Sequence, residues 1–326
     1  MNHDLIDTIF IGGMNIDVIA SGVDRFLNPG ELTSEGKLII GAGGKSRNMA
    51  HMTSLYSGAG RVAMIGKTVR DANNLWQIPV GALEQVGAIT DYITIVPAEE
   101  TDKSPTVAVI VVNKKGENQI YLLPGINEDF SPEDIENAHA LFETVQNNHG
   151  ILALCLELRL DTAIYAINKA NEMEIKVFFD PGGIMEGSDY SGLLEQKIHL
   201  IKPNEHEAQI LTGVQITNFE SAQEAAKIML GWGIENVVIT HGEKGAYVFN
   251  HETEASIPIP HLEPPGLCDA TGCGDQTMAV LCAEMVKGKS LVDATKTAVL
   301  AGTLQFFKTG IQPLKREEVE DAAKQI

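Results

Sequence analysis

From about residue 150 onward, short apolar runs alternate with helical patterns, and few folds accommodate that alternation. The stretches 151–156, 177–179, 199–201 and 237–239 read as buried strands, with helices at 162–170, 205–211 and 222–232 between them. Strands without polar alternation must be covered on both faces, which predicts an α/β fold with a doubly wound, mostly parallel sheet and helices on both sides. Polar residues gather just past these strands: Glu157, Asp180, Lys202 with Asn204, and Thr240 with His241. In open α/β sheets ligands bind outside the carboxyl ends of strands, so these side chains are expected to line one crevice.

No linker-like or low-complexity tract divides the 326 residues, so a single α/β domain over 1–326 with an appendage is expected. The appendage reads as a small β-sheet lid drawn from approximately 17–40 and 91–124. Within it, 106–112 and 118–122 flank Asn113-Lys114-Lys115-Gly116-Glu117, a hairpin with a loop longer than two residues. Ser131-Pro132-Glu133-Asp134 then reads as an N-cap, a proline at N1 and an acid at N3.

Composition excludes several partners. The balance of 24 Lys+Arg against 44 Asp+Glu, a formal net charge of -20, disfavours nucleic acid or an anionic membrane. The start Met1-Asn2-His3-Asp4 lacks a basic n-region before the apolar strand at Ile9, and no apolar run reaches membrane-spanning length, so a cytoplasmic location is expected. Cys155, Cys268, Cys273 and Cys282 form no CxxC pair and read as reduced small residues, with no zinc site.

Chemistry concentrates near the C-terminus. After an irregular stretch containing Pro258, Pro260, Pro264 and Pro265, Asp269-Ala270-Thr271-Gly272-Cys273-Gly274-Asp275 opens a helix with Met278, Leu281, Cys282 and Met285 on one face. Small residues before a helix N-terminus leave backbone N–H groups free to converge on an anion. A carboxylate there repels a phosphate unless it takes a proton from an attacking hydroxyl, so the combination points to phosphoryl transfer. Taken alone, the segment reads equally as a capped turn.

Near the N-terminus, Ile9-Phe10-Ile11 is a short buried strand followed by Gly12-Gly13-Met14-Asn15-Ile16-Asp17. Alternation puts the Asn15 amide and the Asp17 carboxylate on one side of the chain, an arrangement suited to sugar hydroxyls or to a simple Asx-turn. The run Gly41-Ala42-Gly43-Gly44-Lys45-Ser46 fails as a P-loop, because the first glycine would have to replace Ile39. No glycine fingerprint for a dinucleotide lies between a strand and a helix. Lys45 and Asn48 instead supply a second polar wall.

These segments resemble, in order, the motifs of the ribokinase-like, or PfkB, family of carbohydrate kinases. Gly12 to Asp17 matches its opening motif, and Gly43-Gly44-Lys45-Ser46-Arg47-Asn48-Met49-Ala50 its first signature. Asn204-Glu205-His206-Glu207 matches N-x-x-E, Val238-Ile239-Thr240-His241-Gly242-Glu243-Lys244-Gly245 the nucleotide-side strand, and Asp269 to Asp275 the second signature. The likeness is nearest to the ribose-phosphorylating members, through Pro29-Gly30-Glu31, Gly125-Ile126-Asn127 and Cys155-Leu156-Glu157. It implies ATP-dependent phosphorylation of a sugar hydroxymethyl group, most simply of ribose or a similar pentose. Asp275 would be the general base, and the amides of Ala270 to Gly274, including Gly272, Cys273 and Gly274, the anion hole. Asn15, Asp17, Gly43, Gly44, Lys45, Asn48 and Glu157 would bind the sugar, and Asn204, Thr240, Gly242, Gly245 and Thr271 the nucleotide. Glu207 would serve Mg²⁺ and Asp269 a potassium ion.

Departures put the acceptor in question. Ser46 stands where the family usually has a glycine and is followed by Arg47, Gln276-Thr277-Met278 follows the second signature without its usual aromatic, and 67–80 departs from the family's G-D-D-x-x-G and carries Trp76 in an apparent longer insert. Lys45, Arg47, Arg61, Lys67 and Arg70 raise an anionic acceptor as an alternative, although isolated charges read best as a solvated face. Fructose, a nucleoside or a sugar phosphate stays open as acceptor, and so does a catalytically weak binding protein on the same fold. Uncovered lid edges favour a homodimer through the lid.

Overall fold

The computed structural model describes residues 3–264, 266 and 268–326. The expectations involving Met1, Asn2 and Pro265 lie outside the described residues. Thirteen strands are present among those described: β1 (Thr8–Ile11), β2 (Asn15–Val23), β3 (Lys37–Gly43), β4 (Val62–Arg70), β5 (Ile93–Pro97), β6 (Thr106–Asn113), β7 (Asn118–Leu123), β8 (Ile151–Leu154), β9 (Lys176–Phe179), β10 (Leu200–Ile201), β11 (Asn236–Thr240), β12 (Ala246–Asn250) and β13 (Glu254–Ile257).

Nine of them form one sheet in the order β13-β12-β11-β10-β9-β8-β1-β4-β5. The run from β11 to β5 is parallel, and β12 and β13 are added antiparallel at one edge. Two-sided burial is visible residue by residue: Ile9 and Ile11 of β1 pack into one core layer while Phe10 packs into the other, and Leu152 and Leu154 of β8 oppose Ile151 and Ala153. Period-two side-chain alternation with both faces apolar explains the unbroken hydrophobic runs of the sequence. The helices Leu160–Glu172, Glu205–Thr212 and Phe219–Gly231 contribute to the first layer, and Lys45–Ser57, Cys273–Val286 and Leu291–Phe306 to the second.

The helix Cys273–Val286 is buried nearly all round, from Asp275 to Glu284, because it lies between the helices Lys45–Ser57 and Leu291–Phe306. One apolar face therefore understates its burial. Its N-cap is Gly272, at φ 74°, so Asp275 stands in the first turn and is not the cap.

The remaining strands make a second sheet, β3-β2-β6-β7, with the expected hairpin between β6 and β7. Ile93–Pro97, inside the span 91–124 read as lid, pairs instead with β4 and extends the large sheet. The span 67–80 is the end of β4, an ordered turn over 71–76 and the start of the helix Gln77–Gln85: Asp71 accepts from the amides of Asn73 and Trp76, and Arg70 lies 5.5 Å from the Trp76 ring centroid. Asp134 Oδ2 accepts from both the amide (2.9 Å) and hydroxyl (3.2 Å) of Ser131, fixing the start of Pro132–Glu136 as its sequence predicts. Among the described residues no helix is long and apolar enough to cross a membrane.

Candidate active site

β2 carries Asn15 and Asp17 on one face, two residues apart; neither makes the Asx-turn that the isolated segment also permits. The Asp17 carboxylate folds across Gly43 at the end of β3, where a Cβ would stand 2.0 Å from Asp17 Oδ1, so a side chain at position 43 would displace it. Gly44 follows at φ 91°, with the Gly13 carbonyl 2.6 Å from the place of a side chain, and turns the strand into the helix Lys45–Ser57. Asn127 Nδ2 donates to Asn15 Oδ1 at 3.0 Å and so orients that amide. Asn127 was given no role by the sequence; its signal was the Gly125-Ile126-Asn127 segment of the family resemblance.

The helix start then reaches two carboxylates contributed by distant elements. The Lys45 amide donates to Glu157 Oε2 at 2.7 Å, just past β8, and Lys45 Nζ lies 3.2 Å from Asp275 Oδ1. Asn48 Nδ2 donates to Asp275 Oδ2 at 2.9 Å. Burial pushes the carboxyls of Asp17 and Glu157 above their ordinary values, and the Asp275 charge holds the Lys45 ammonium firmly protonated. Carboxylate and amide acceptors thus converge beside one fixed cation.

The cations expected to form a solvated face do not behave alike. Arg47 is 2% exposed and lies inside the wall, where burial lowers its guanidinium to about 10 and it stays charged at neutral pH. Solvation is therefore the wrong reading for Arg47, whose charge is met by backbone carbonyls and by nearby Asp17. Arg61 pairs with Asp7 at 2.6 Å and Lys67 with Asp134 at 3.0 Å, both away from the wall.

Next to Asp275 opens a cavity of about 390 Å³. Asn204, Thr240, Gly242, Gly245, Cys273 and Gly274 line it, which brings together most of the residues expected to hold a nucleotide. Its far wall, Val299, Gly302, Thr303 and Phe306, was not anticipated, although this spacing places the four on one helix face. Thr271 does not line it: its amide and hydroxyl both donate to Asp269 Oδ1, at 2.9 and 2.7 Å. The Cys273 amide is likewise directed at Ala270 O, at 3.3 Å. Of the amides expected to form a cradle over Ala270 to Gly274, those of Thr271 and Cys273 donate within the loop instead, while Ala270 lines the cavity beside Cys273 and Gly274. The Cys273 thiol, pushed up to about 12 by burial, is neutral there and adds no repulsion to an anion.

Asn204 and Glu207 form a reciprocal capping box, each side chain accepting the other's amide at 2.8 and 2.9 Å. This leaves Glu207 one oxygen for any other partner. Below Gly274 sits a buried ion pair, Lys202 Nζ to Asp180 Oδ2 at 2.9 Å. Burial opposes the charge on Asp180, but Lys202 and then Lys45 outweigh it and hold the carboxyl below its usual range. His241, grouped with the crevice by sequence, packs edge-on against Tyr247.

The sequence model of the pfkB family carbohydrate kinases matches residues 6–317. A deoxyribokinase of Salmonella typhi is 30% identical over 308 residues, covering 92% of this chain and 94% of its own. A ribokinase of Haemophilus influenzae is 30% identical over 321 residues, covering 95% and 96%. The structure of Arabidopsis thaliana ribokinase complexed with ribose and ATP superposes with a TM-score of 0.83 at 24% identity, over 98% of this chain and 99% of that one.

Proposed function

The chain belongs to the pfkB family of carbohydrate kinases and is a sugar kinase, and from that premise we propose that it phosphorylates the hydroxymethyl group of a neutral pentose, ribose or a close analogue, with ATP as donor. The observation that carries this reading is the double attachment of Asp275. Its carboxylate is held by Lys45 and Asn48 of the polar wall, while its own helix start, at Cys273 and Gly274, lines the cavity. A hydroxyl lying on the wall and a phosphoryl group in the cavity would meet at that side chain.

In this reading the acceptor hydroxyl gives its proton to Asp275 as its oxygen bonds to the γ-phosphorus, and the bond to the β-phosphate oxygen breaks to release ADP. The first-turn amides and Lys45 face the charge that spreads over the transferring group. Asp17 and Glu157 accept hydrogen bonds from the remaining hydroxyls. An acceptor phosphate beside Asp17, Glu157 and Asp275 would be repelled, so the wall favours a neutral sugar. The names of the two curated relatives, which specify pentose kinases, agree with that preference.

Mg²⁺ fits as a passenger on the nucleotide, supplying charge neutralisation to its phosphates. Among the described residues no group of three His, Cys, Asp or Glu could hold a metal by itself, and Glu207 has one oxygen to offer. Potassium fits less well. Asp269 already accepts from the Thr271 amide and hydroxyl and from the Gly310 amide, and Gln305 Nε2 donates to the carbonyls of Thr271 (3.1 Å) and Gly310 (2.7 Å). The Asp269 carboxylate and the Thr271 and Gly310 carbonyls already hold internal partners, and no step is routed through the ion.

The remaining expectations stand as part of the proposal. Leu38 and Tyr121, 69% and 60% exposed on edge strands β3 and β7, support a homodimer through the lid, which sedimentation of wild type against Leu38→Lys would test. For the function itself, ATP consumption is measured with ribose, 2-deoxyribose, fructose, nucleosides and their phosphates. Preference for a phosphorylated acceptor or a nucleoside over every pentose would overturn the assignment.

A further inference from the structure

Arg47 is a charged side chain 2% exposed inside the wall, and that position calls for a role. Its Nε donates to Gly43 O at 3.2 Å, its Nη2 donates to Ala42 O and to Asn48 Oδ1, and its Nη1 meets His51 Nδ1 at 3.2 Å. A guanidinium has five N–H bonds, so little of the fork is left to grip an acceptor anion in bidentate fashion. Burial, and then the Arg47 charge, lower His51 to about 4, so at neutral pH the imidazole is uncharged and its Nδ1 can accept from Arg47.

Asn48 lies between two groups of opposite hydrogen-bonding character. Arg47 has only donors and the ionised Asp275 only acceptors, so the amide of Asn48 satisfies both in a single orientation: Oδ1 toward Arg47 and Nδ2 toward Asp275. Ala42 and Gly43, which the same guanidinium grips, end β3 of the small sheet. Gly43 is also the residue over which Asp17 folds.

We propose that Arg47 is a positioning residue: it locks the amide of Asn48 in the orientation that donates to Asp275 and fastens the root of the small sheet to that contact, without itself binding the acceptor. The proposal rests on the reading of Asp275 as the base, and it predicts that Arg47 acts on turnover through Asn48. A charged acceptor has no part in it.

The test is a cycle of Arg47→Met, Asn48→Ala and the double variant, with kcat, both KM values and thermal unfolding measured for each. Misplacing a catalytic group costs about 10-fold or more, so Arg47→Met should lower kcat by that order with the ATP KM unchanged, and the double variant should be no slower than Asn48→Ala alone. Arg47→Lys, which keeps a charged donor group but not the planar fork, should recover part of the loss. Independent losses that multiply in the double variant overturn the proposal. It is overturned equally if Arg47→Met leaves pentose turnover intact while abolishing use of a sugar phosphate. Side-chain amide ¹⁵N resonances give a reading that needs no turnover: the Asn48 Nδ2 protons should exchange slowly in the wild type, rapidly in Arg47→Met and at an intermediate rate in Arg47→Lys, and equal exchange rates in all three refute the lock. A wild type that ignores every pentose removes the acceptor assignment only, since the cycle is then read on whichever acceptor consumes ATP.

Discussion

Lys45 Nζ lies 3.2 Å from Asp275 Oδ1, across 230 positions of sequence, so the base of the proposed reaction is ion-paired before any acceptor arrives. A carboxylate in that state is fixed in place and shares its charge with the lysine. Changing Asp275→Asn preserves the shape and the contact with one donor while removing basicity. Turnover is expected to fall by roughly 10²-fold or more with ATP binding retained. Kinetics beside a nucleotide-binding isotherm check this, and near wild-type turnover in a folded Asp275→Asn protein rejects the role.

Asp17 makes a separate claim, about affinity. The loss of a hydrogen bond to a charged group costs about 1.5–3 kcal/mol, so Asp17→Ala should raise the sugar KM by about 10- to 100-fold and leave that for ATP nearly unchanged. Gly43→Ala should reproduce the effect without touching a polar atom, because its Cβ would stand 2.0 Å from Asp17 Oδ1. Equal shifts in both Michaelis constants for either variant would show that Asp17 does not act on the sugar.

The middle of the large sheet, β1 and β8 to β11, could be read from the sequence, because strands buried on both faces, such as Ile151–Leu154 and Asn236–Thr240, are short and nearly unbroken apolar runs, whereas β4, β5, β12 and β13 were not read as part of it. Asn204 and Glu207 entered through the N-x-x-E motif of the family resemblance, and in the structure the same local spacing closes a capping box. What escaped depends on distant partners. Arg47 reads as surface because burial of a charge needs acceptors, and these come from the carbonyls of Ala42 and Gly43 and from a carboxylate on another strand. Ile93–Pro97 reads as lid because only its pairing with β4 assigns it to the large sheet. The cavity wall at Val299, Gly302, Thr303 and Phe306 carried a periodic signal, but one that equally fits a packed core helix.

The raised carboxyls of the polar wall set a direction for pH. Asp17 and Glu157 accept hydrogen bonds fully only when ionised, and burial holds both above the ordinary 3.8 and 4.5. Lowering the pH toward those values should therefore raise the sugar KM while exposed carboxylates are still charged. The sign for stability is opposite: the folded state binds these two protons more readily, so the pair costs stability as pH rises. Asp180, held below 3.8, contributes stability above that value and loses it only as pH falls through its lower folded value. Weakening of sugar binding should thus precede acid unfolding, which sugar KM and circular dichroism followed over the same pH series will test. Coincident transitions would refute the order.

Gln305 decides the last expectation. Its amide, fully buried in the helix Leu291–Phe306, ties Thr271 O to Gly310 O, and Asp269 closes the same loop by accepting from the Gly310 amide at 2.7 Å. A cation at these two carbonyls would be crowded by the Nε2 protons already directed at them, and displacing that donor would leave a buried amide unpaired, at roughly 1–3 kcal/mol. The wild type should accordingly turn over at equal rates in potassium and sodium buffers of the same ionic strength. Removing the donor with Gln305→Ala frees the two carbonyls and should make the rate rise with potassium more than with sodium. Strong potassium stimulation of the wild type, unchanged in Gln305→Ala, would mean that the ion binds elsewhere around Asp269 and that the Gln305 bridge does not take its place.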